Sequence, residues 1–237
     1  MIERVLYNVM FEEGVRFVLK SNDEGAIALQ YPGKPLWLYV NDHWGAENLQ
    51  AFFNTCLQKI DGITGLVAPK WAAQICPWPT TFSWELTALF LPTRITHVPK
   101  GRLVFPDLGD LPMISEWIED FYFDVLAKPF PEGDKTAEAL ILSNKLYILA
   151  AEGLGKVAMG MIIPIPNHGM SRINLIYTPH IYRGRGFGRD ITAAISIKLQ
   201  EMGQLPVLYV RTENVTAMQM YRSLGFAEAG QLVELRF

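Results

Sequence analysis

The chain has 237 residues, a length that allows one large domain or two small ones. Half of the residues are hydrophobic and 19% are charged, a balance that excludes a disordered or fibrous protein. The formal net charge is -3, so no general positive field would attract nucleic acid or an anionic membrane, and we expect neither as a partner. Any anion site must therefore be built locally.

Cysteine content and hydropathy indicate the class of protein. Cys56 and Cys76 are too few for a disulfide framework and lack the spacing of a zinc site, so we expect buried thiols and no metal. Charged residues interrupt the apolar positions of the first 14 residues, which argues against a signal peptide. No apolar run reaches the ~18 residues of a membrane span. These features predict a cytoplasmic protein.

The first hundred residues are predicted to alternate strands with a helix. Apolar runs predict strands over 35–40, 63–68 and 82–91, and a helical pattern covers 46–60. Prolines, a glycine and polar residues gather over 91–101, so we place a domain boundary near residue 100. The predicted division is an N-terminal α/β domain at 1–100 and a second domain at 101–237.

The second part is predicted to be another mixture of strands and helices. Its predicted strands cover 102–105, 146–150, 158–165, 172–178, 207–210 and 232–237, and its predicted helices cover 111–126, 135–142, 187–202 and 214–225. Gly153 and Gly155 predict a hairpin turn, residues 166–169 predict a second turn, and Gly203 predicts a helix end.

A glycine-rich segment lies between a predicted strand and a predicted helix. It consists of Arg183, Gly184, Arg185, Gly186, Phe187, Gly188 and Arg189. Glycine lets a backbone approach a ligand closely, and the amides of a helix N-terminus together with arginines favour an anion such as diphosphate. No Lys-Ser/Thr pair follows, which excludes a Walker P-loop. A Rossmann dinucleotide site fits less well because the glycine spacing is GxGxG, and a tight turn without a ligand is the third alternative.

A second motif begins at Asn214 and decides between these alternatives. It follows the pattern Asn-x-x-Ala-x-x-x-Tyr-x-x-x-Gly-Phe at Asn214, Ala217, Tyr221, Gly225 and Phe226. Together with Arg-x-x-Gly-x-Gly at 183–188, it makes residues 101–237 resemble the acetyl-CoA-dependent GNAT N-acetyltransferase superfamily. The order of predicted strands and helix in residues 1–100 would suit a degenerate second GNAT-like half, although no glycine-rich phosphate loop occurs there.

The resemblance implies a fold, a co-substrate and site residues. The implied fold is α/β (α+β), with a mixed, mostly antiparallel sheet flanked by helices, and the implied co-substrate is acetyl-CoA. The main chain of Ile176, Tyr177 and Thr178 would pair with the pantetheine arm, and the amides of 185–189 would hold the pyrophosphate. Tyr221 would be the general acid, and Asn214 would bind the pantetheine or position the acyl group. A core tyrosine and a helix cap are the simpler interpretations of these two side chains.

The general base and the acceptor remain open in the sequence. The candidates for the base are His168, His180, Glu116, Glu119, Asp120, Asp124, Asn174, Tyr177 and a water molecule. The implied acceptor is a primary amine of a small molecule, in a pocket formed by the helix over 111–126 and the loop over 128–133. A non-catalytic acyl-CoA-binding sensor or scaffold is the alternative function, and a homodimer is compatible with the sequence.

Overall fold

The computed structural model describes residues 17–21, 25–30, 35–40, 43–165 and 169–237. Its strands are β1 (Phe17–Lys20), β2 (Ala26–Gln30), β3 (Leu36–Val40), β4 (Gly65–Pro69), β5 (Phe82–Phe90), β6 (Arg102–Val104), β7 (Leu146–Ala151), β8 (Gly155–Ile165), β9 (Met170–Tyr177), β10 (Leu205–Arg211) and β11 (Ala227–Arg236). Its α-helices are α1 (Ala46–Lys59), α2 (Lys70–Ala73), α3 (Leu111–Leu126), α4 (Gly133–Leu142), α5 (Phe187–Glu201) and α6 (Val215–Ser223). Short 3₁₀ turns cover 108–110 and 180–182.

Local signals explain where the predicted elements begin and end. Asp107 and Asp110 form a capping box ahead of α3, and Ala127, in the left-handed conformation, caps the C-terminal end of that helix. Gly203 follows α5 with φ +70°, as predicted for a helix end. The strands β1 and β2 and the short helix α2 were not predicted, and β11 begins at Ala227 rather than at 232. The predicted turn over 166–169 lies outside the described residues except for Gly169.

The strands form a single sheet in the order β1-β2-β3-β4-β11-β5-β10-β9-β8-β7-β6. Two neighbouring pairs, β3–β4 and β9–β10, are parallel, and the other pairs are antiparallel. The predicted mixed, mostly antiparallel sheet flanked by helices is confirmed.

The two predicted domains exchange strands at the centre of this sheet. β5, from the first part, lies between β10 and β11 of the second part, while β11 lies between β4 and β5. Each part also contains a parallel pair whose strands are joined through a long helix, α1 in the first part and α5 in the second. The halves therefore share one continuous sheet.

The helices cover the two faces of the sheet unequally. Leu89 of β5 belongs to the cluster under α5 and α6, and Val233 of β11 belongs to the cluster under α1 and α2. Val233 pairs with Glu85, which lies four residues before Leu89 and hence on the same face. These four helices thus share one face. Helices α3 and α4 cover a separate cluster that includes Leu175 and Tyr177 of β9.

Several expectations about composition can be compared with the structure. Cys56 is buried, which raises the pKa of its thiol to about 12, and Cys76 is half-buried; both are free thiols. Over the described ranges, no helix is long and apolar enough to cross a membrane. The same part of the chain contains no group of three or more His, Cys, Asp or Glu side chains placed to hold a metal ion.

Candidate active site

The parallel strands β9 and β10 diverge and open a cleft in the sheet. They pair only from Met170 with Leu205 to Arg172 with Val207. Beyond these residues β9 continues to Tyr177 and β10 to Arg211 without pairing with each other. The facing backbone edges can therefore hydrogen-bond an extended ligand lying between the strands.

A bulge in β9 marks the side of this cleft. The register between β8 and β9 shifts between Met159 and Met161, and one extra residue of β9 is accommodated there. Leu175 adopts φ +53°, which is unfavourable for a branched side chain. A bulge leaves its extra residue out of the ladder, so a backbone amide near Leu175 is available to a ligand.

The glycine-rich loop forms an open cradle at the start of α5. Gly184 and Gly186 have φ of +74° and +89°, and a Cβ added to either glycine would meet nothing within 4 Å. Helix α5 begins at Phe187, and the Asp190 amide is the first to bond back, to the Gly186 carbonyl at 3.0 Å. The preceding amides of the first turn lack such partners in any helix, and together with the helix dipole they favour an anion.

Thr178 places a hydroxyl beside this cradle. Its Oγ1 is buried and has no hydrogen-bond partner in the described part of the chain. The same atom would lie 3.4 Å from a Cβ placed on Gly188. Buried hydroxyls are normally satisfied, so an unpaired one next to free helix amides fits a ligand with acceptor oxygens. The residues present therefore fit the pyrophosphate and pantetheine of CoA.

The three arginines of the loop occupy different environments. Arg183 donates to the Thr178 carbonyl at 2.9 Å and to Asp124 at 2.5 Å, and it lies over the Tyr177 ring at 5.4 Å. Arg183 thus fastens the loop to β9 and to α3. Arg185 is exposed and lies 5.9 Å from the Tyr182 ring centre, whereas Arg189 is half-buried, with an Nε that has no partner among the described residues.

The side chain of Tyr177 lies on the side of the sheet covered by α3 and α4. It belongs to the cluster under α3 and α4, and its hydroxyl donates to Asp120 at 2.8 Å. Burial and the Asp120 carboxylate raise the pKa of the phenol far above its usual value. Tyr177 can reach a ligand in the cleft only through its backbone, whereas the Ile176 side chain faces the α5 side.

Tyr221 is 8% exposed and lies in the same cluster as Ile176 of β9 and Leu208 of β10. Burial raises the pKa of its phenol to about 12. Its ring packs edge-on against Phe226, at a centre distance of 5.8 Å. The motif thus supplies a protonated phenol beside the two diverging strands.

Asn214 caps α6, since its Oδ1 accepts from the Ala217 amide at 3.0 Å. The loop before it is held by the first part of the chain. Thr212 donates its amide to the Glu85 carbonyl at 2.9 Å, and its hydroxyl bonds to that of Thr87 at 3.0 Å. Sequence reasoning missed this support because it depends on a strand pairing between distant segments, for which the sequence carries no local signal.

The residues predicted for the base and the acceptor pocket are only partly brought together. Asp120 and Asp124 are engaged by Tyr177 and Arg183, and the exposed His180 lies 3.8 Å from Asp124. Asn174 is exposed on β9. Among the aromatic side chains of the helix and loop expected to form the acceptor pocket, Trp117 is buried, Phe121 packs edge-on against Tyr122, Phe130 stacks on Tyr122 at 4.1 Å, and Phe123 is 56% exposed. His168 lies outside the described residues.

Comparisons with known proteins agree with this geometry. Residues 152–235 match a family model described as FR47-like protein, a segment that contains both motifs. A GCN5-related N-acetyltransferase from Kribbella flavida superposes with a TM-score of 0.66 at 14% identity, covering 99% of this chain and 94% of that one. The chain has the GNAT fold.

Other GNAT structures show the same likeness. An acetyltransferase of the GNAT family from Colwellia psychrerythraea gives a TM-score of 0.62 at 12% identity over 92% of this chain and 83% of that one. A GCN5-related N-acetyltransferase from Sphaerobacter thermophilus gives 0.59 at 14% identity over 93% and 79%. The likeness in fold therefore also includes described residues before residue 100. A search of curated proteins found no significant match.

Proposed function

We propose that this GNAT-fold chain transfers an acetyl group from acetyl-CoA to a primary amine of a small molecule. The proposal depends above all on one observation: an open glycine cradle at a helix N-terminus lies beside two diverging strands and a buried tyrosine. Acetyl-CoA, when bound, supplies an activated thioester. The chain's own residues bind it, orient it and handle charge and protons.

Binding is assigned to backbone groups more than to side chains. The amides of 185–189 would hold the pyrophosphate, and the edge formed by Ile176, Tyr177 and Thr178 would pair with the pantetheine. Asn214 keeps its amide NH₂ for the same ligand, because its Oδ1 is already used by the helix cap. In this arrangement Arg183 positions the loop, and Arg185 and Arg189 contribute positive charge.

The bulge in β9 would stabilise the charge that develops on the thioester oxygen. The bulge would leave a backbone amide near Leu175 out of the ladder and free to donate, and the Leu175 side chain itself is buried. A donor fixed before the reaction needs no reorganisation, which is the usual source of such stabilisation. The unfavourable φ of Leu175 is consistent with this role, since strained residues concentrate at functional sites.

Tyr221 would donate a hydrogen bond, and finally its proton, to the leaving sulfur. With a pKa of about 12 the phenol stays protonated at physiological pH. In water a thiol has a pKa of ~8.5, well below that of this phenol, so proton transfer to its thiolate would be unfavourable. The dry surroundings of Tyr221 would also disfavour the thiolate of CoA and raise the pKa of its thiol. The amine would lose its proton through water, because Asp120 and Asp124 already bind Tyr177 and Arg183.

The experiment that tests this function is a calorimetric titration with acetyl-CoA, followed by thiol-release assays against a panel of small amines. We expect micromolar binding and release of CoA with one class of amine. Binding of NAD without CoA would contradict the cofactor assignment. Binding of acetyl-CoA with no turnover on any amine would instead support the sensor alternative.

A further inference from the structure

An open cavity of about 730 Å³ lies next to the cofactor cradle and is not used by the mechanism above. Phe187, the first residue of α5, forms part of its wall, so the cavity lies beside the first turn of that helix. Its volume is within the range of ligand pockets, roughly 300–1,000 Å³. The remaining wall is formed by Lys100, Gly101, Arg102, Ala150, Ala151, Glu152 and Leu154.

The segment that joins the two parts of the chain places Lys100 and Arg102 at the wall of this cavity. Thr93 and Ile95 bond to Gln200 near the C-terminal end of α5, at 2.7 and 3.2 Å. His97 bonds to Asp190 in the first turn of the same helix at 2.6 Å. The segment over 92–100, which we call the strap, therefore runs antiparallel to α5 and ends beside its N-terminus.

The charges at the end of the strap favour a phosphate group. Lys100 and Arg102 are both exposed and line the cavity, with Glu152 as the opposing charge. Lysine binds phosphate as a point charge and arginine through two parallel N–H groups. The wall carries a net charge of +1, from two cations and one carboxylate, and it adds to the positive end of α5.

We propose that this cavity receives the ribose 3′-phosphate of CoA, bound by Lys100 and Arg102. The inference builds on the proposed function, since it assumes that the pyrophosphate lies on the α5 amides. CoA carries a phosphomonoester on the ribose next to its pyrophosphate, so a ligand held in the cradle has a second anionic group within reach of the adjoining cavity. The strap thereby makes the first part of the chain contribute to cofactor selection.

Titration of the full chain with CoA and with 3′-dephospho-CoA tests the proposal without requiring turnover. We expect the wild-type protein to bind CoA roughly tenfold more tightly than 3′-dephospho-CoA. This is the size of effect that two charge-assisted hydrogen bonds from solvent-exposed side chains can give. The double variant K100Q/R102Q should bind both ligands equally, with its affinity for dephospho-CoA unchanged. Arg94→Gln, an exposed arginine on the same strap that does not line the cavity, is the matched control and should keep the tenfold preference.

Glu152→Gln gives an independent test in the opposite direction. Removing the one carboxylate of the wall should increase the preference for CoA by a few fold, and this gain should shrink at high ionic strength. Equal binding of both ligands by the wild type would overturn the proposal, and so would a preference that survives in K100Q/R102Q. Equal weakening of both ligands in that variant would assign the two cations to the pyrophosphate instead. Failure of the wild type to bind either ligand would refute the proposed function as well.

Discussion

At the scale of single residues, the backbone conformation of Gly186 decides whether the cradle can form. Its φ of +89° is accessible to glycine and strained for a branched residue, and its missing Cβ leaves open space. We expect Gly186→Val to abolish detectable acetyl-CoA binding in a calorimetric titration, because a side chain would occupy the cradle. Gly203→Val is the matched control, since Gly203 also has a left-handed φ and open surroundings but lies at the other end of α5.

Both glycine variants should lose about 1–2 kcal/mol of stability through backbone strain. Only Gly186→Val should lose the ligand. Undiminished acetyl-CoA affinity in Gly186→Val would show that the loop is a turn and not a phosphate site.

Tyr221 makes a separate prediction about turnover. Tyr221→Phe keeps the ring and its packing but removes the acid, so kcat should fall roughly 100-fold, the low end for general acid catalysis. Affinity for acetyl-CoA should stay within about twofold. Tyr147→Phe removes a hydroxyl from another buried tyrosine of the same cluster and should leave kcat unchanged. An unaltered kcat in Tyr221→Phe would exclude this phenol from the chemistry.

The burial of Tyr221 also predicts a pH dependence of stability. Its phenol pKa is about 12 in the folded chain and ~10 in the unfolded chain. Between these pH values the folded state binds more protons than the unfolded state. The contribution of the Tyr221 phenol to the free energy of unfolding is therefore fully present below pH 10 and is lost as the pH rises toward 12. Urea unfolding at pH 9 and pH 11 should therefore show a smaller decrease in unfolding free energy for Tyr221→Phe than for wild type. Equal decreases would mean that the phenol is solvated.

The two motifs were the part of the site that the sequence could predict. Local spacing reveals the glycines and the helix cap because each depends on a few neighbouring residues. The bulge at Leu175 and the hydroxyl of Thr178 beside Gly188 could not be predicted, because each depends on how distant segments pack. The ion pair between Arg183 and Asp124 could not be predicted for the same reason. The assignments of Tyr221 and Asn214 to catalysis stay predictions.

At the scale of elements, α5 is held in place by the strap over 92–100. Asp190 is 2% exposed, and His97 is the partner of its Oδ1, while Oδ2 has no partner in the described chain. Removing the partner of a buried charge costs about 3 kcal/mol or more. We expect His97→Ala to lower the unfolding free energy by about that amount in urea titrations.

A double-mutant cycle separates this pair from a general packing effect. The double variant His97→Ala/Asp190→Ala should be less destabilised than the sum of its single variants, because it leaves no buried carboxylate unpaired. Strictly additive costs would indicate that the two side chains act independently and that the strap is not fixed through them.

Elements that have their own local pattern were predicted well. Helices α1, α3, α4 and α5 follow apolar stripes at helical spacing, and β7 and β10 are apolar runs bounded by turn residues. The strands β1 and β2 lie in a stretch with weaker signals and owe their place to the pairing of β2 with β3. The first part of β11 pairs with β5 through a bulge at 228–230. No local sequence pattern predicts this bulge.

At the scale of the whole molecule, the exchange of β5 and β11 means that neither part is complete alone. Without residues 1–100, β10 and β11 would lose the strand between them, and the loop that carries Asn214 would lose its bonds to Glu85 and Thr87. Exposed edges in the centre of a sheet are prone to aggregate. We expect the separate fragments 1–100 and 101–237 to lack cooperative unfolding by circular dichroism.

Coexpression of the same two fragments should restore a stable complex, because the break at residue 100 lies at the end of the strap and interrupts no strand of the sheet. The complex should elute at the size of the intact chain and unfold in one transition. As a matched comparison, a break placed inside β5, between residues 86 and 87, should give no complex, since it divides the strand that β10 and β11 both need. Cooperative unfolding of fragment 101–237 alone would show that the second part folds independently and that the strand exchange is dispensable.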